Sequence, residues 1–129
     1  MDFEFIPYEI AKKLKEKDFD EPCIAYYHIY EDEIDSINSL EYAYDWDFYN
    51  SKNKYRCGAP TISQVLKWLK DKKYIDAEIH LIDGNATFMR GQQYQLLIYI
   101  NRELIHTIQC ETYEIANLAG IKYIVDNLI

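Results

Sequence analysis

Between Pro60 and Leu128 the rhythm of apolar residues switches from helical to alternating and back, and that switch restricts the chain to a narrow set of folds. Pro60 to Lys73 predicts an amphipathic helix. Ile62, Val65, Leu66 and Leu69 form its inner stripe with Trp68 at the edge, while Lys67, Lys70, Lys72 and Lys73 sit outside or near the C-terminal end, where the dipole favours cations. Asp76 to Ile82 then alternates, with Ala77, Ile79 and Leu81 on one face, as a strand does. Asp83-Gly84-Asn85 begins a turn or loop lasting to about Gly91. Gln93–Ile100 and Leu104–Cys110 read as two more strands around the turn Asn101-Arg102-Glu103. Tyr113–Leu128 reads as the last helix, capped by Thr112 with Glu114 in its first turn. It is apolar nearly all round, so it is buried on more than one side or offers a face to a partner; a homo-oligomer through helix 113–128 is the matching expectation.

The first half is less regular. Pro7 followed by Tyr8–Lys17 predicts a short helix with Ile10, Ala11 and Leu14 on one stripe, since proline suits the first helical turn. Asp20-Glu21-Pro22 breaks it, and Cys23–Tyr30, rich in tyrosine and apolar on both faces, reads as an internal or covered strand. Residues 31–56 fit two patterns. Glu41 to Phe48 alternates like an exposed strand, whereas Ile34, Ile37, Leu40, Tyr44 and Phe48 recur at helical spacing. The order α-β-(acidic segment)-α-β-β-β-α implies an α+β class: one antiparallel sheet of three to five strands packed against two or three helices. At 129 residues and 49% hydrophobic composition, a single domain over 1–129 is expected.

Charge is distributed unevenly along this plan. Asp18, Asp20, Glu21, Glu31, Asp32, Glu33, Asp35, Glu41, Asp45 and Asp47 fall in a stretch to Ser51 without one Lys or Arg, so the net charge of -8 is local. Tyr42, Tyr44, Trp46 and Phe48 are threaded through the same stretch. Such a surface repels phosphates, which makes nucleic acid an unfavourable partner, and attracts a basic protein surface. The candidate interface is therefore Glu31, Asp32, Glu33, Asp35, Tyr42, Tyr44, Asp45, Trp46, Asp47 and Phe48. An aromatic stripe is more often core than binding site, and an acidic turn is more often plain solvated surface; the coincidence of the two raises the interface reading.

Catalytic signatures are sparse. His28, His80 and His106 fall on three separate predicted strands, and with the 31–35 carboxylates they define the alternative reading, a small enzyme or metal-binding protein. His106 and Cys110 are four apart on one strand, roughly 13 Å at about 3.3 Å per residue, too far for direct proton transfer. Cys23, Cys57 and Cys110 form no CxxC and read as small buried hydrophobes. Glu31-Asp32-Glu33-Ile34-Asp35 lacks the glycine and terminal glutamate of a calcium loop, and four glycines in total leave no phosphate-cradling loop. No cofactor or metal is expected. The N-terminal residues carry no signal-peptide pattern and no apolar run approaches about 18 residues, so no membrane association and a cytoplasmic location are expected.

Pro60–Leu128, in the order α-β-β-β-α, resembles the double-stranded-RNA-binding fold. RNA binders of that family place lysines at the start of the last helix to meet phosphates; here Glu111-Thr112-Tyr113-Glu114 stands there, so what the resemblance implies is the topology, with RNA binding at most degenerate. Across most of the chain, Glu21–Tyr27, Ala59–Leu69 and the run from Thr112-Tyr113-Glu114 to Asp126–Ile129 are similar to a family of short uncharacterised proteins encoded in prophages and mobile elements of gut bacteria. That family has a second Glu where this chain has Ile115, which makes the final helix here more apolar at its start. The resemblance implies an intact fold and a phage-like origin, and no activity.

Overall fold

The computed structural model describes residues 5–28, 40–42, 49–50, 56–81 and 94–129. It is an α+β chain that divides into two compact units, Met1–Ile62 and Ser63–Ile129.

In the first unit α1 (Tyr8–Glu16) buries Ile10, Ala11 and Leu14, the stripe its spacing predicts. Its end is set by a left-handed residue. Asp18 takes φ 66°, which lets the Phe19 N–H reach back to the Leu14 carbonyl at 2.9 Å and turns Phe19 into the core. The sheet beside it is β1 (Ala25–His28) flanked by β2 (Leu40–Tyr42) and β3 (Arg56–Gly58), both antiparallel to it. β1 is thus an internal strand, as its apolar composition predicts. Ala25, Tyr27 and Cys57 are buried on the face toward α1; the Tyr27 hydroxyl donates to the Ile6 carbonyl at 2.7 Å and its ring meets Tyr8 edge-on at 5.5 Å. Asn50 locks the unit from inside. Its amide donates to the Phe19 carbonyl and its oxygen accepts from the Gly58 N–H, both at 2.7 Å.

In the second unit α2 (Ile62–Lys73) leads into β4 (Ile75–Leu81), β5 (Tyr94–Ile100) and β6 (Glu103–Cys110), an antiparallel sheet in the order β4-β5-β6. Val65, Trp68 and Leu69 of α2 are buried, so Trp68 lies deeper than the edge of the stripe. The β5–β6 turn is Asn101-Arg102, both left-handed at φ 50° and 69°, the conformation a two-residue hairpin requires. Helix α3 (Tyr113–Asn127) lies across all three strands, with the Thr112 hydroxyl accepting from the Ile115 N–H at 3.1 Å as the expected cap. Gly120 is the point of closest approach. A Cβ there would collide with the Leu96 side chain, which is fully buried in β5.

Two expectations need correction. Among the described residues the strands form two three-stranded sheets and not one, because β1 finds its partners in β2 and in β3, a three-residue strand too short to show alternation. The phase of β6 also changes within the strand. Register slips between Ile98 and Tyr99, so His106 pairs with Ile98 while Leu104 pairs with Tyr99, and the regular strand expected over Leu104–Cys110 is interrupted by one inserted residue. Helix α3, for its part, buries a single stripe of Ala116, Asn117, Gly120, Ile121, Ile124 and Val125 and leaves Tyr113 and Ile115 half-exposed.

Candidate functional site

Of the acids and rings of the acidic-aromatic segment the structure describes Asp18, Asp20, Glu21, Glu41 and Tyr42, the last two on β2. Among the described strands β2 is an outer one of the first sheet, and it turns Glu41 to one face and Tyr42 to the other, the alternation read from the sequence. Tyr42 is 62% exposed and its ring meets Phe5 edge-on at 5.9 Å. Glu31, Asp32, Glu33, Asp35, Tyr44, Asp45, Trp46, Asp47 and Phe48 lie outside the described residues.

Glu41 is the centre of a polar cluster on the sheet face opposite α1. Register brings Tyr26 opposite Glu41 and His28 opposite Arg56, and all four project from that face. The Tyr26 hydroxyl donates to Glu41 Oε2 at 3.1 Å, His28 Nε2 lies 2.9 Å from Glu41 Oε1, and the Arg56 guanidinium sits 4.7 Å from the Tyr26 ring centre. Hydrogen bonds from His28 and then Tyr26 hold the Glu41 carboxyl below its ordinary range, while partial desolvation and the bond to Glu41 push the Tyr26 hydroxyl up. Sequence reading noted His28 and Glu41 separately and missed Tyr26 and Arg56; the signal was the i, i+2 pairing of Tyr26 and His28 on one strand face. The cluster carries no cysteine. Cys57 faces the other way, and burial pushes its thiol up to about 11 and that of Cys23 to about 12, so both are neutral thiols at pH 7.

The histidines do not assemble. His80 pairs with Gln95 and His106 with Ile98, which puts them on opposite faces of the second sheet. His80 is exposed beside Glu78 at 3.4 Å, whereas His106 stacks on Tyr123 of α3 at 3.9 Å. Among the described residues no three His, Cys, Asp or Glu side chains are grouped to hold a metal ion.

A cleft that the sequence did not announce opens in the second unit where the α2–β4 junction meets the β5–β6 turn. It measures about 550 Å³ and is lined by cations and anions together, Lys70 and Arg102 with Asp76 and Glu78. Tyr74, Tyr99 and Asn101 complete its wall. The Asn101 N–H donates to the Tyr74 carbonyl at 3.3 Å and ties the turn to the junction.

Comparisons of the chain with protein-family models, with curated proteins and with solved structures found no match.

Proposed function

We propose that the chain is a non-enzymatic binding module, a small intracellular accessory protein of mobile-element type that docks a basic protein surface through its acidic-aromatic segment. The observation that supports this best is β2: an outer strand within that segment, with an exposed acid and an exposed ring on opposite faces. Ten carboxylates confined to one stretch of chain store repulsion that a basic partner relieves, so association should be fast and weakened by salt. Single exposed charges contribute only about 0–1 kcal/mol, so a test must remove several. After affinity capture from the native host, the purified partner should associate more slowly with a Glu31→Gln, Asp32→Asn, Glu33→Gln, Asp35→Asn variant than with the parent. Trp46→Ala should speed dissociation if the aromatic stripe is the anchor. A partner that binds both variants like the parent removes the reading, and a captured nucleic acid with steep salt dependence would favour the degenerate RNA-binding alternative. A second copy of the chain is the other partner for which an observation speaks, namely the half-exposed Tyr113 and Ile115 at the start of α3.

A further inference from the structure

The cleft beside the β5–β6 turn holds opposite charges that leave one another alone. Among the described residues Lys70, Asp76 and Arg102 make no ion pair and no side-chain hydrogen bond, although all three line the same volume. Lys70 stands in the last turn of α2 and Arg102 in the hairpin turn, both at the open end of the sheet, whereas Asp76 lies on β4, directly opposite Tyr99 on β5. Glu78 follows two residues on along the same face of β4 and is shared with His80. The cleft is therefore polarised, with cations at the turn and carboxylates along the strand.

Its wall is built from residues in an unfavourable backbone conformation. Tyr74, Asn101 and Arg102 all have left-handed φ, at 58°, 50° and 69°, and all three line the cleft. A volume of 550 Å³ is within the range of small-ligand sites.

We propose that this cleft binds a small zwitterion of short-peptide chemistry, its carboxylate held by Lys70 and Arg102, its ammonium by Asp76, and its apolar body against Tyr74 and Tyr99. A singly charged ligand would leave one set of charges facing an apolar group, which is how a site built from both signs discriminates.

The test is a titration of the isotope-labelled full-length chain with the free dipeptide Gly-Phe, followed by nuclear magnetic resonance. Saturable shifts are expected at the amides of Asp76, Tyr99 and Arg102. N-acetyl-Gly-Phe, which lacks the ammonium, and Gly-Phe amide, which lacks the carboxylate, should each bind about tenfold more weakly, the loss of one charged contact. Arg102→Gln should reduce the preference for free acid over amide, and Arg102→Gln with Lys70→Gln should abolish it, both keeping the preference for free amine, whereas Asp76→Asn should abolish the preference for free amine and keep that for free acid. Absence of a saturable shift with Gly-Phe, or equal binding of the capped dipeptides, overturns the proposal. Tighter binding of O-phosphoethanolamine than of Gly-Phe overturns the carboxylate assignment.

Discussion

Asn50 bridges two buried backbone groups of the first unit, a carbonyl 31 residues earlier and an N–H 8 residues later. Asn50→Ala should leave two buried backbone groups without partners and cost about 2–4 kcal/mol in urea unfolding. Asn50→Asp keeps the acceptor for Gly58 and loses the donor to Phe19, so it should fall between the two; an alanine variant as stable as the parent would remove the bridge from the account. The buried thiols give a pH dependence of known sign. Their folded values lie above the ordinary 9.0, so between about pH 9 and about 12 the unfolded chain loses thiol protons that the folded chain keeps. Stability should thus fall as pH rises through that window, read as a lower urea midpoint at pH 10 than at pH 8. That Cys23 and Cys57 are buried was legible from their wide spacing and the lack of any CxxC pair. Asn50 was not legible, because its partners are backbone atoms whose proximity only the fold creates.

At the scale of elements, Gly120 shows how closely α3 approaches its sheet. Alanine favours a helix over glycine by about 1 kcal/mol, yet its methyl must displace the buried Leu96 side chain. Overpacking of that kind costs about 1–3 kcal/mol, so Gly120→Ala should destabilise despite its better propensity. Adding Leu96→Val should restore part of the loss in a double-mutant cycle, and independent effects of the two changes would argue against the contact. Periodicity located α1, α2, α3 and the three strands of the second sheet to within one or two residues, because each has a burial rhythm long enough to read. It missed β3, where Arg56-Cys57-Gly58 is defined by its neighbour β1 and has no rhythm of its own. The cleft was invisible for a similar reason. Arg102 is far along the chain from Lys70 and Asp76 and joins them only because the hairpin turn is tied to the α2–β4 junction.

For the molecule as a whole, one domain over 1–129 predicts a single thermal transition, with Trp68 fluorescence and far-ultraviolet dichroism melting together. Two calorimetric peaks would make each compact unit a domain of its own. Among the described residues the expected single sheet became two because β1, which the sequence announced, pairs with β2 and with β3, and β3 at three residues is too short to announce itself. The register slip in β6 has a further consequence. Among the described strands β6 is paired on one side only, and it carries Leu104 and Ile105 exposed with Glu103 as its one acid. A long outer strand of that composition is a template on which other chains can assemble into aggregates. One inserted residue interrupts the spacing of its outward N–H and carbonyl groups, so an incoming strand cannot zip along its full length. The same irregularity that hid the phase of β6 from the sequence thereby shortens the stretch on which another chain could pair.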